Sequence, residues 1–399
     1  MARCCAADDV TMNDQSFQHP AGVWSVDVRT SVGYEVALVE GLFEKGNNSL
    51  LGTGTGLGSA RRFVVIDSQV DALYGELIRA YFDRADVHCG FFSLAAEEKA
   101  KALDNVSAIA HALDSFGIDR RREPIIAIGG GVVLDVAGLA ASLYRRGTPY
   151  IRVPTTLIGL VDAGVGVKTA VNHGFHKNGL GTYFAPHVVL CDRRFLATLD
   201  TRHIANGLAE VLKIGLIRDR ALFELLAEHG RLLLDERLQG LSPEGGSAAD
   251  EVIQRAITGM LDELRPNLWE QQLDRLVDYG HSMSPAIEML ALPQLLHGEA
   301  VNVDMALFTA VAQRRGVVSS AEAFRIFRVM RALGLPVWHP LLERSVLAKA
   351  LTDTTQHRGG QQRLPLLTGI GSACFVNDVT PDELVAAAER LLDEERQGA

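Results

Sequence analysis

A chain of 399 residues, 47% hydrophobic and 22% charged, is long enough for two domains that each bury a core. Its formal net charge of −10 excludes wholesale binding to a nucleic-acid backbone, though not a local basic pocket for one small phosphate. No apolar run approaches a membrane span, the opening MARCCAADDVTMND lacks a secretory pattern, and the five cysteines have neither metal nor disulfide spacing, so a reducing cytoplasm is expected.

In chain order, residues 1–31 are polar and aperiodic and read as a flexible leader. Strands are expected at 34–39 and 61–67, the second ending in Asp67 at the sheet edge where open α/β folds bind ligands. Asp67-Ser68-Gln69 leads into a helix through Tyr81, a strand follows at 87–92, and Glu97 to Lys101 opens a helix running to Phe116. The organising stretch comes next: a buried strand at Ile125–Ile128, the triplet Gly129-Gly130-Gly131, and a helix over 132–144. Such a turn points unpaired N–H groups and the positive end of a helix dipole at a phosphate; a plain tight turn between core elements is the competing reading. With a further strand at 150–154, the alternation predicts a mostly parallel, doubly wound, Rossmann-like α/β domain over 32–199. Over 200–399 the periodicity becomes helical, at 205–218, 221–234, 248–263, 286–290, 298–315 and 321–333. One late strand is expected at 363–367, and the Gly- and Ser-rich 239–247 reads as a surface loop.

Three groups of residues could carry chemistry. Asp135, in the first turn after the glycines, and Thr155-Thr156, after a strand, suit a nucleotide site, although threonines there also serve as turn caps. Glu210 and Lys213 share one otherwise apolar helix face, an expensive place for charges without partners. With His281 and His297, Glu210 makes a three-ligand set that leaves one position open, as a catalytic zinc requires; satisfied core histidines are the alternative. Asp162, Lys168, Asn172, His176, Lys177 and Asn178 form a polar loop suited either to an anionic substrate group or simply to solvent.

The motifs GGGVVLD, RG-x-P-x-x-x-VPTTL, VD-x-x-x-x-x-KT-x-VN, KN-x-x-G, LAEVLK, GH and HGEAV, ordered over 63–367, resemble dehydroquinate synthase and the wider sugar phosphate cyclases. The resemblance implies a nucleotide-binding N-terminal domain, a helical metal-binding C-terminal domain with the active site between them, and a homodimer. It implies tightly held NAD and one divalent metal, zinc or else cobalt. By motif, Asp67, Glu98, Lys101, Gly130, Gly131, Asp135, Thr155, Thr156 and Lys177 would contact NAD, and Glu210, His281 and His297 would bind the metal. Asp162, Lys168, Asn178 and Lys213 would be the catalytic residues lining the substrate site, with Arg146 reaching the substrate phosphate of the neighbouring subunit.

The departures from dehydroquinate synthase concern the substrate. Met260 stands for a Lys, Asp274 for an Arg, Asp278 for an Asn and Pro285 for a His, while His357 stands near a phosphate-binding Lys. Losing two cations and gaining an anion disfavours a carboxylate by several kcal/mol and suits a hydroxyl-rich sugar. The pattern is similar to the branch of the family that cyclises sedoheptulose 7-phosphate. The implied reaction is redox-neutral: hydride passes from C5 to NAD, phosphate leaves from C7, the hydride returns, the ring opens and an aldol step closes a carbocycle. Dehydroquinate synthase itself, a metal-dependent polyol dehydrogenase and a non-catalytic paralogue are the rival readings.

Overall fold

The computed structural model describes residues 24, 26–28, 30–52, 61–174 and 176–398, so the leader expected over 1–31 lies largely outside the described residues. The N-terminal half alternates β1 (Glu35–Leu38), a single turn α1 (Ser49–Gly52), β2 (Arg61–Asp67), α2 (Ser68–Arg84), β3 (His88–Leu94), α3 (Leu103–Phe116), β4 (Ile125–Gly129), α4 (Gly131–Leu143) and β5 (Tyr150–Pro154). It closes with β6 (Lys168–His173), β7 (His176–Tyr183) and β8 (Val188–Cys191). Six strands form one parallel sheet in the order β1-β8-β5-β4-β2-β3. Both of its faces are covered: Phe63, Val65, Ile125 and Ala127 pack into one core, and Val64, Ile66, Ile126 and Ile128 into another. Continuous burial explains why these strands read as unbroken apolar runs. Strand order reverses between β2 and β4, which opens a crevice at their carboxyl ends.

The C-terminal half carries α5 (Thr201–Ile217), α6 (Arg220–Asp235), α7 (Pro243–Leu264), α8 (Ser284–Ala291), α9 (His297–Arg314), α10 (Ser320–Ala332) and α11 (Arg344–His357). An antiparallel pair, β9 (Leu364–Gly369) with β10 (Ser372–Val376), and α12 (Pro381–Gly398) complete it. Helix α9 is buried along nearly its whole length, and α5, α8, α10 and α12 pack around it.

The structure departs from the sequence reading at several places. The polar stretch after β5, expected as a loop, is the antiparallel hairpin β6–β7. Its strands, KTAVNH and HKNGLGTY, are mostly polar and lie outside the main sheet, so they lack the apolar signature of the others. The helix expected from 97 breaks into a 3-10 turn at Glu98–Ala100, and α3 starts only at Leu103. Part of the expected loop 239–247 is helical: Ser242 accepts a hydrogen bond from Gly245 N (3.1 Å) and Pro243 occupies the first turn, so α7 begins early. Strands β8 and β10 and helices α11 and α12 were not anticipated.

Arg152, in the middle of β5, is fully buried and spends its charge on main chain. Its Nη1 donates to the carbonyls of Ala163 (3.2 Å), Gly164 (3.1 Å) and Gly166 (2.6 Å), and its Nη2 to that of Lys168 (2.8 Å). The segment from Asp162 to Lys168 is thereby tied to the sheet interior. Arg152→Met leaves four carbonyls, that of Gly164 buried, short of donors and is expected to destabilise the fold by about 3 kcal/mol in urea titration. Arg152→Lys, which cannot reproduce the planar fork, is expected to recover less than half of that.

Candidate active site

The N-terminal half supplies a cradle at the carboxyl edge of the sheet. Helix α4 starts on Gly130 with no side chain capping its first turn, so its N–H groups face outward. A Cβ on Gly130 would lie 3.0 Å from Thr156 Cγ2, and one on Gly129 2.7 Å from Val133 Cβ, so the turn is as close to its neighbours as backbone permits. Asp67 ends β2 and caps α2, its Oδ1 accepting from Gln69 N (2.8 Å). Thr155 N donates to Gly129 O (3.0 Å) through main chain alone, and Thr156 Oγ1 accepts from Gly159 N (3.2 Å), so of the two threonines it is Thr156 that caps the turn.

Beside it runs a closed polar network. The buried Lys101 ammonium donates to Asp135 Oδ2 (2.6 Å) and to Asn178 Oδ1. Asn172 Nδ2 donates to Glu98 Oε1 (2.9 Å), while Asn172 Oδ1 accepts from Asn178 N (2.8 Å). Burial holds the Asp135 carboxyl above its usual range, against the pull of Lys101. Lys177 lies apart from this group: its ammonium pairs with Glu288 on α8, in the other half of the chain.

The metal-type cluster is built by close approach. On α5, Glu210 is 1% exposed and its Oε2 lies 2.5 Å from Lys213 Nζ. His281 Nε2 and His297 Nε2 stand 3.6 and 3.4 Å from Glu210 Oε1. Glycines permit this. Gly280 has φ +79°, and a Cβ there would meet Met305 Cγ at 2.7 Å, while a Cβ on Gly298 would sit 2.0 Å from Asn206 O. Each imidazole is anchored through Nδ1, His297 on Glu288 Oε2 (3.0 Å) and His281 on Tyr279 O (3.3 Å), which leaves both Nε2 atoms aimed at Glu210. Among the described residues this is the one His/Cys/Asp/Glu cluster whose ligand atoms converge. The residues fit a metal: neither buried Glu210 oxygen has a well-formed hydrogen bond, and the oxygen–nitrogen spacings match the edge of about 3.3 Å of a tetrahedral zinc site.

Electrostatics follow from this geometry. Burial disfavours the charged form of Glu210, but Lys213 and the two histidines hold it well below its usual range. Burial also opposes charge on Lys213, and Glu210 raises it above the normal lysine value. Asp162, in a turn of π-helix before the hairpin, adds a negative field at Lys168, Lys213 and His281. Lys168 lines the cleft and pairs with Glu270. The surrounding protein and Arg275 push it down to about 8, and because its side chain is 56% exposed, solvent screens part of that effect.

The residues singled out as departures sit differently from what the sequence suggested. Met260 is 3% exposed and packs in the helical core. Asp274 is exposed and held by Arg363 Nη1 at 2.9 Å from both carboxylate oxygens, so its negative charge is already matched. Asp278 accepts from Arg275 and from Arg358 Nη2 (2.9 Å). Pro285 opens α8 in its first turn. His357 is exposed at the end of α11, and the cation the fold turns inward is its neighbour Arg358. Arg275, Arg358, Arg363 and Glu270 escaped the sequence reading because their pairing depends on loops meeting across the cleft; one available signal was the density of charge in 262–278. Arg146 is exposed with φ +64° before β5, at the sheet edge opposite the glycine turn.

The chain matches the profile of the 3-dehydroquinate synthase N-terminal domain over residues 91–206 and that of the C-terminal domain over 207–356. It is 57% identical over 373 residues to a 2-epi-5-epi-valiolone synthase of Actinomyces sp., covering 93% of this chain and 98% of that protein. It is 58% identical over 365 residues to another of that name from Streptomyces albus, covering 91% of this chain and 89% of that protein. The solved structure of 2-epi-5-epi-valiolone synthase from Streptomyces hygroscopicus subsp. jinggangensis 5008 with NAD+ and Zn2+ bound superposes with a TM-score of 0.88 at 50% identity. That superposition covers 93% of this chain and 100% of that one.

Two outcomes follow from the His281–Glu210–His297 geometry. Without a metal, burial opposes charge on His297, but Glu210 and Glu288 hold it up to about 9, whereas burial pushes His281 down to about 4. At pH 7 His297 is therefore protonated and must shed its proton to ligate. Zinc uptake should release about one proton, and affinity should rise about tenfold per pH unit from 7 until near 9. Competition titrations against a chelator at several pH values measure this, and a flat profile would contradict it. Gly298→Ala, which collides with Asn206 O, is expected to weaken zinc binding by about tenfold or more in the same titration.

Proposed function

The chain belongs to the dehydroquinate synthase family of sugar phosphate cyclases, and on that premise we propose that it converts sedoheptulose 7-phosphate to 2-epi-5-epi-valiolone with loss of phosphate, using NAD and one divalent metal, zinc before cobalt. The observation that carries this reading is 57% identity along almost the entire length of a synthase of that name. The uninterrupted glycine turn and the Glu210–His281–His297 cluster support it.

Bound at these places, the two groups supply a hydride acceptor and a Lewis acid. Asp67, Gly130, Gly131, Thr155 and Thr156 would hold NAD along the sheet edge, with Glu98, Lys101 and Asp135 in the network beside it. Lys177 would act from further off, orienting Glu288 and through it His297. Lys213 keeps Glu210 ionised and presents a buried ammonium to the reacting sugar. Lys168, Asn178 and Arg358, now bonded to protein partners, would turn to anionic oxygens as phosphate departs, joined by Arg146 of the partner subunit in a homodimer. Asp162 would orient sugar hydroxyls, and the departing phosphate can take the proton itself. Asp278 and Asp274 face the same end of the cleft, already paired with arginines. No described helix is long and apolar enough to cross a membrane, in keeping with a cytoplasmic enzyme, and an aminocyclitol pathway is the natural consumer of the product.

Metal-loaded protein given sedoheptulose 7-phosphate is expected to release one phosphate per turnover, with no net NADH and a seven-carbon cyclitol ketone visible by NMR. Lys168→Ala is expected to lower kcat/KM by about a hundredfold. Preferential turnover of 3-deoxy-arabino-heptulosonate 7-phosphate would overturn the assignment in favour of a dehydroquinate synthase, and accumulating NADH would indicate a polyol dehydrogenase.

A further inference from the structure

We infer that Asp304 is a positioning residue of the metal site: from inside α9 it caps the start of α8 and so fixes the segment that carries His281. The inference rests on the reading above, in that Glu210, His281 and His297 are the metal ligands. Asp304 stands between Val303 and Met305 and is fully buried, as both of them are. A carboxylate in such surroundings is strongly disfavoured unless hydrogen bonds offset the loss of water, so what it holds is informative.

Its Oδ2 accepts from Met283 N (2.6 Å) and Ser284 N (3.0 Å). Those N–H groups open α8, where Met283 in the cap position makes no capping hydrogen bond and Pro285 has no N–H to give. The acceptor that most helices find in their own sequence is thus supplied here by another helix. An anion at this end also suits the dipole of α8. Burial pushes the Asp304 carboxyl up to about 6, against the pull of the Ser284, Met283 and Ser282 N–H groups and of Arg358, so at neutral pH it is mainly charged.

His281 is caught between this contact and a second one on the next residue of α9. Two residues before it, Tyr279 Oη donates to Met305 O (2.9 Å), and Gly280 presses on Met305 and Val301. Two and three residues after it, the main chain is held by Asp304. Between them, Thr354 Oγ1 from α11 donates to Ser282 O (2.6 Å). The His281 ring itself has a long tie, Nδ1 to Tyr279 O at 3.3 Å, whereas His297 is tied to the Glu288 carboxylate at 3.0 Å. Placement of His281 therefore comes mainly through its backbone. Since α9 begins at His297, one rigid helix carries one imidazole and, about two turns further along, positions the other.

Two measurements on the NAD-loaded protein test this: zinc affinity by chelator competition, and the visible spectrum of the cobalt-substituted protein, whose bands report ligand geometry. Asp304→Ala is expected to weaken zinc binding by about tenfold or more and to move the cobalt bands. Asp304→Asn keeps an acceptor of the same size without the charge, and is expected to bind zinc only about threefold more weakly than the unaltered protein, with bands close to its own. Asn302→Ala, which removes a hydrogen bond from the same helix to Pro336 O, is expected to lower the urea midpoint and leave the cobalt bands in place. Zinc affinity unchanged in Asp304→Ala, or cobalt bands moved as far in Asn302→Ala, would overturn the inference by reducing Asp304 to general packing of α9. Should Asp304→Ala fail to fold, Asp304→Asn decides: a threefold loss upholds the inference and an unchanged affinity overturns it. Failure of the metal reading is separate: the unaltered protein would take up neither zinc nor cobalt, and the inference would fall with it.

Discussion

The carboxylate of Glu210, 1% exposed on α5, carries charge where almost no water reaches it, and much of the helical half is arranged to make that tolerable. An isolated ion in such a place is strongly disfavoured and would normally take up a proton instead. Lys213, one turn along the same helix, answers the charge from one side, and the two imidazoles converge from the other. Bringing those imidazoles in requires two chain segments to touch α5 and α9 more closely than side chains allow, which is why a glycine stands beside each histidine. Glu288 then fixes the orientation of His297 and reaches back through Lys177 to the hairpin of the nucleotide half. The two halves of the chain are thus connected through the same charges that form the metal cluster.

Charge matching also governs the mouth of the cleft. Counting residue types alone suggests a pocket that has lost cations and gained a free anion. In the fold Met260 retires into the core and Asp274 is claimed by Arg363, while Arg275 and Arg358 converge on Asp278. The pocket is rich in cations, each with its carboxylate in place.

Much of this was legible beforehand, and the exceptions have physical causes. The strands of the parallel sheet announce themselves because burial on both faces demands unbroken apolar runs, and the glycine turn because backbone must approach a ligand there. Glu210 and Lys213 stood out as charges on an apolar helix face, and spacing suggested His281 and His297 as partners. Hairpin β6–β7 stayed hidden because it sits off the main sheet with much of its surface in solvent. Helix α11 has a polar face that dilutes its periodicity, whereas α12 and β8 carry patterns no weaker than those of α10 and β1 and were open to the same reading. The inward cation fell on Arg358 instead of His357 because position along a helix end decides which of two adjacent side chains meets the core.

The arginine at the heart of β5 bears on how this sequence can drift. Its guanidinium grips main-chain oxygens, so the identities of the residues it holds are largely immaterial to the grip. Space still limits the segment, since a Cβ on Gly164 would lie 2.1 Å from Gly159 O and Val165 and Val167 are buried, and position 152 itself admits little else. The course of this part of the cleft wall is therefore set from inside the sheet, by one side chain of a buried strand.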